Sequence, residues 1–213
     1  MPKINILDVE ERWDASNEDE FLWWPRVHWI DPGTVSGVAT IWFDPKALYD
    51  NKPMARVLLG YSEIFLDGPE DGLNGQANRF LRLRKALAQD VGTATGCESF
   101  VPRRLDFSEE FLSPVRIRSK IEYALSKTPN ELINTGTEEE PVHPVGVPLF
   151  LQSPSDAKGA FEDGRLKALR MYRPGPDHVN DAKRHGLLWI RKLRKAGREA
   201  FEQAHGHEEG WFA

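Results

Sequence analysis

HWIDPGTVSGVATIWF, residues 28–43, reads as two β-strands joined by a tight turn. Val27, Trp29 and Ile30 lead in, and Val35 to Phe43 leads out. Between them Pro32 pre-sets φ and Gly33 admits positive φ, the composition of a short strand connection. Asp31 closes the first apolar run, so its carboxylate projects from a strand edge, where it can help hold a divalent cation. One carboxylate cannot do metal chemistry alone. The reading therefore turns on whether the rest of the chain supplies partners.

Working outward, strands are expected at about 26–31, 35–43 and 56–65, forming an antiparallel meander. Residues 44–53 carry Asp, Asn and Pro and read as a turn. An amphipathic helix is expected over 73–89, then a buried strand over 93–101. Ser113 and Pro114 read as cap and first turn of a helix over 113–125. Residues 126–146 read as a loop and 147–152 as a short strand. Helices follow at about 161–171 and 177–203. The order β-β-β-α-β-α-β-α-α implies an α/β fold: a mixed five-stranded sheet, three strands in the meander and two parallel, flanked by helices. Three regions are expected: an acidic, aromatic arm (1–24), one folded domain (25–200) and a tail (201–213).

At 213 residues, 40% apolar and 29% charged, the chain has an ordinary globular composition. It shows no apolar run of membrane-spanning length and no secretory leader. Cys97 is the sole cysteine and is expected to be a small buried strand residue. These features together point to an intracellular protein. The net charge is −5, yet residues 151–200 hold 12 Lys and Arg against 6 Asp and Glu. A locally basic block is the footprint of a phosphate-binding surface, although a solvated helix face reads the same way.

Two further segments can supply the missing ligands. Glu98 lies in the apolar strand GCESF, a costly place for a carboxylate unless it is paired, metal-bound or on an edge facing water. In PDHVNDAKRH (176–185), His178 and Asp181 are three apart and Asp177 and Asp181 four apart, so each pair shares a helical face. Acidic residues in a first turn also suit the helix dipole without any further role.

Taken together, these segments carry a resemblance. IDPGTVSGVA resembles the first acidic motif of RuvC-type Holliday junction resolvases, and GCESF resembles their second. LFLQSPSDAK looks like their fifth strand followed by a Pro-x-x-x-Lys segment. DHVNDAKRHGLLW is similar to their last motif, in particular in phage-encoded members. The resemblance spans about residues 27–195. It implies an RNase H-like fold and a metal-dependent endonuclease acting on branched DNA, in the cytoplasm of a bacterial host. Asp31, Glu98, His178 and Asp181 would be metal ligands, with Asp177 as an alternative to His178, for two Mg²⁺ or Mn²⁺ ions. Lys158 would sit near the scissile phosphate. Arg116, Arg118, Lys120, Lys158, Arg165, Lys167, Arg170 and Arg173 would contact DNA phosphates. A homodimer making paired nicks is implied, with 5′-phosphate and 3′-hydroxyl ends. Phe100 matches a base-stacking aromatic only at a shifted offset and reads better as a core strand residue. His205 and His207 lack a third partner for zinc.

Three other readings compete. Asp31, Gly33 and Thr34 also fit the Asp-x-Gly-Thr opening of actin-like or sugar-kinase-like ATPases, but the chain is too short for their second half. A flap, fork or terminase-type nuclease of the same fold would carry the same ligands. A catalytically silent DNA-binding module would not need them.

Overall fold

The computed structural model describes residues 4–7, 23–66, 72–87, 92–100, 109–127, 147–205 and 209–212. Their strands are β1 (Ile4–Ile6), β2 (Arg26–Asp31), β3 (Ser36–Phe43), β4 (Leu58–Leu66), β5 (Thr93–Glu98) and β6 (Leu149–Gln152). Their helices are α1 (Pro45–Tyr49), α2 (Met54–Val57), α3 (Gly72–Leu87), α4 (Glu109–Ser126), α5 (Pro154–Ala160), α6 (Asp163–Ala168), α7 (His178–Ala196) and α8 (Arg198–His205). A 3₁₀ turn covers Glu209–Phe212.

The strands form one sheet in the order β1-β4-β3-β2-β5-β6. The meander β2-β3-β4 is antiparallel, and β5 and β6 run parallel to β2. The five expected strands are present in the expected sense. A sixth, β1, extends the sheet by pairing with β4 from a segment that reads as part of the arm. No described helix is long and apolar enough to cross a membrane.

Alternation along each strand splits the core between two faces. Val27, Trp29, Ile41 and Phe43 pack with Leu187, Ile190 and Leu193 of α7 and Phe201 of α8. Ile30, Val38, Leu66 and Cys97 pack on the other face, with Ala77 and Phe80 of α3 and Ile117, Ile121 and Leu125 of α4. Cys97 is buried and free, as expected.

Several boundaries differ from the sequence reading. The 44–53 turn contains α1, capped by Asp44 through the Ala47 N–H at 3.0 Å, and leads into α2. Ser113-Pro114 is not the start of α4; the helix begins at Glu109 and Pro114 lies inside it. The helix expected over 161–171 is replaced by α5 and α6, which break at Phe161 and Glu162. The last helix is broken at Gly197, whose φ of 93° favours glycine. β5 ends at Glu98, so Phe100 lies beyond the strand. Most of the expected 126–146 loop lies outside the described residues, as do His207 and much of the arm.

One glycine governs how the two layers meet. A Cβ on Gly37 would stand 2.1 Å from the His178 carbonyl carbon and 2.4 Å from the Val179 nitrogen. The first turn of α7 therefore rests directly on the backbone of β3, in register with Asp31. Gly37→Ala drives backbone into backbone, which a core cannot absorb by rotamer change. We expect a loss of about 1–3 kcal/mol or more, read by chemical denaturation, with Gly33→Ala costing less.

Candidate active site

β2 and β5 are parallel neighbours, so their C-terminal ends meet at one end of the sheet, where α/β folds gather ligands. Ile30 pairs with Cys97, and the next step of that register sets Asp31 beside Glu98. Glu98 in turn pairs with Gln152 of β6, and Asp31 with Gly37 of β3. Gly37, Asp31, Glu98 and Gln152 thus form a row across four strands. Helix α7 crosses above it. His178, Asp181 and His185 fall at i, i+3 and i+7, one stripe of that helix.

The stripe touches the row at both ends. His178 Nδ1 lies 2.9 Å from Asp31 Oδ2. His185 Nε2 lies 3.0 Å from Glu98 Oε2, and its Nδ1 lies 3.4 Å from Gln152 Oε1. Between them Asp181 receives Lys158 Nζ on Oδ2 at 3.0 Å, while Arg184 holds Oδ1. Arg184 is itself buried and also bonds Asp163 and, at 3.1 Å, the Phe161 carbonyl. The break between α5 and α6 is what brings that carbonyl to the guanidinium.

The turn after Asp31 is braced from the opposite layer. Gln76 of α3 donates to the Thr34 carbonyl at 2.8 Å and accepts from the Ser36 hydroxyl. Gly33 does not adopt positive φ, contrary to the sequence expectation. It matters instead by omission: a Cβ there would lie 3.0 Å from the Val35 carbonyl oxygen and 3.5 Å from His178 Cε1.

The electrostatics are those of crowded acids. Burial pushes the Asp31 carboxyl up to about 6, and the negative charges of Glu98 and Asp181 push the same way against the hydrogen bond from His178. The Asp31 hydrogen bond raises His178, against the effect of burial. The Asp181 hydrogen bond likewise raises Lys158. Asp31, Glu98, Asp181 and His178 therefore sense one another, although they come from three distant stretches of chain.

All four donors are oxygen or imidazole, which suits a hard divalent cation. As the side chains stand, no three His, Cys, Asp or Glu among the described residues converge tightly enough to hold an ion. Instead each acid meets a cationic or imidazole group. In kind the residues suit a cation, and these pairs are the groups that would have to yield to one.

Other expected residues are placed less centrally. Asp177 is exposed at the N-cap of α7 and its side chain makes no capping bond. Arg116, Arg118 and Lys120 lie on α4, on the face opposite α7, and Arg118 is 3.6 Å from Glu122. Lys158, Arg165, Lys167, Arg170 and Arg173 lie on the α7 side of the sheet. There Lys167 sits 4.6 Å from the Tyr172 ring centre and Arg173 pairs with Glu63 at 3.1 Å. The basic residues thus form two groups on opposite faces rather than one groove. His205 is a core residue whose Nδ1 lies 2.9 Å from the Gly92 carbonyl oxygen, and burial lowers it to about 4.

No protein-family model and no curated protein matches the sequence. Among solved structures, Thermus thermophilus RuvC is similar to this chain at 17% identity and a TM-score of 0.52. The match covers 80% of this chain and 96% of that one. The fold is that of RuvC. T. thermophilus RuvC in complex with Holliday junction substrate is also similar, at 16% identity and a TM-score of 0.47, covering 84% of this chain and 94% of that one. The match at a TM-score of 0.52 and the sheet order agree with the RNase H-like architecture that the resemblance implied.

The raised Asp31 pKa makes a signed prediction. Between its ordinary value of 3.8 and about 6, the folded chain binds a proton that the unfolded chain releases. Stability attributable to this group is therefore lost as pH rises through that window. Asp31→Asn should raise the stability of the metal-free protein at pH 8 by on the order of 2 kcal/mol and change it little at pH 4, read by denaturant unfolding.

Proposed function

We propose that this protein is a divalent-metal-dependent endonuclease that cuts branched DNA, resolving four-way junctions. The observation that carries the reading is the meeting of Asp31, Glu98, Asp181 and His178 at the end of a RuvC-like sheet. In this reading Asp31, Glu98, Asp181 and His178 hold two Mg²⁺ or Mn²⁺ ions. When bound, such ions polarise the phosphoryl oxygens and lower the pKa of a coordinated water.

The chain's own residues do the rest. Asp31, whose carboxyl is raised by burial and by its acidic neighbours, would be favoured in its charged form by a bound cation. Lys158 reaches the site from α5, and its exposed amine can turn from Asp181 to a phosphate oxygen. Alternatively His178, next to the Gly33 turn, holds or passes a proton at a ring nitrogen while Asp31, Glu98 and Asp181 hold the ions. The basic residues on both faces would position DNA arms by phosphate contacts without reading sequence. Hydrolysis would leave 5′-phosphate and 3′-hydroxyl ends. A homodimer would supply two such sites for paired nicks.

The test compares a four-way junction, a flap and a linear duplex as substrates, each with and without Mg²⁺. Junction cleavage should exceed duplex cleavage and disappear with chelator. Glu98→Gln and Asp181→Asn should each lower the junction rate by about a thousandfold, some 4 kcal/mol of barrier. Equal cleavage of linear duplex would overturn the junction assignment, and full activity of Glu98→Gln would overturn the site.

A further inference from the structure

His185 is absent from the ligand set, yet it is buried directly beside the site. It is 1% exposed, and both ring nitrogens face side chains rather than backbone. Its plane is set by the Trp29 indole, stacked 5.5 Å away at an interplanar angle of 2°. Trp29 can lie there because Gly96 is bare: a Cβ would stand 2.1 Å from the indole. The stack and the two side-chain contacts hold the ring with its Nε2 towards Glu98.

The Glu98 carboxylate sets the direction of the bond. Ionised, it only accepts, so the His185 Nε2–H donates to Oε2, 3.0 Å away. The neutral ring then accepts at Nδ1. Gln152 faces Nδ1 at 3.4 Å, and a half-turn of its amide puts the buried Nε2 amine on that acceptor.

We propose that His185 is the positioning residue for Glu98, holding Oε2 so that the other carboxylate oxygen serves a cation. Gln152 and Trp29 fix the ring that does so. This rests on the cation-binding reading above. Hydrogen-bonded supports of this kind orient ligating carboxylates, and removing one weakens metal binding about 10- to 100-fold.

The experiment titrates Mn²⁺ into the metal-free full-length chain without DNA, following free Mn²⁺ by electron paramagnetic resonance. His185→Phe keeps a ring over Trp29 and removes the donor. Its Mn²⁺ affinity should fall about 10- to 100-fold while its melting temperature stays within a few degrees of the parent. His185→Gln, which restores an N–H, should recover part of the loss. Gln152→Leu, which leaves the ring in place but ungoverned, should weaken binding by a smaller factor. A His185→Phe chain that folds and binds Mn²⁺ as the parent does overturns the positioning role alone. Equal affinities for His185→Phe and His185→Gln overturn the donor. If His185→Phe does not fold, unchanged affinity in Gln152→Leu overturns the proposal. A parent chain that takes up no Mn²⁺ overturns this role and the nuclease site together.

Discussion

The arrangement depends on one close approach, the first turn of α7 lying on the bare backbone of β3 at Gly37. Strand pairing can bring Asp31 and Glu98 side by side, but nothing in a sheet supplies a third and fourth donor above them. The helix must come down onto the strand ends for that. Any side chain at residue 37 would collide with that turn's backbone and hold the helix off the strand. The site is thus assembled by an absence in one element and a stripe of polar residues in another.

That assembly has an electrostatic cost, and the surrounding residues offset it. Asp31, Glu98 and Asp181 repel one another across a largely buried pocket. His178, His185, Lys158 and Arg184 each engage one of them. Buried charge is tolerable only when paired and hydrogen-bonded. Arg184 illustrates the depth of the arrangement, since its guanidinium is also tied to Asp163 and Phe161. The acids can therefore fold without a cation present, and a cation entering must compete with these contacts.

Much of this was legible from the residues. Asp31 stood out as an acid at the end of an apolar run, Glu98 as an acid inside an apolar strand, and His178 and Asp181 as a three-residue spacing at a helix head. His185 was visible as the next member of that stripe, seven from His178, but nothing in the sequence pairs it with Glu98. Gln152 could not be recognised without the β5–β6 register, because only pairing places it beside Glu98. Gly37 carried the signal of a glycine inside a strand, which marks a close backbone approach. The start of α4 was misread because Ser113-Pro114 is a good local beginning. The burial of Ile117, Ile121 and Leu125 against the sheet outweighs the cost of proline inside the helix. Asp163 and Arg184 meet only because the chain breaks between α5 and α6, which no periodicity indicated.

The far end of α7 is secured as well. The Tyr49 hydroxyl donates to the carbonyls of Leu193, at 3.2 Å, and Gly197, at 2.9 Å, just where the helix stops. Gly37 seats the opposite end. A rod of 19 residues, roughly 28 Å long, is thereby clamped against sliding along the sheet. Piston-like travel of this helix is closed off as a means of regulation. Any gating of the pocket must come from rotation of individual side chains or from flexing of the strand ends beneath it.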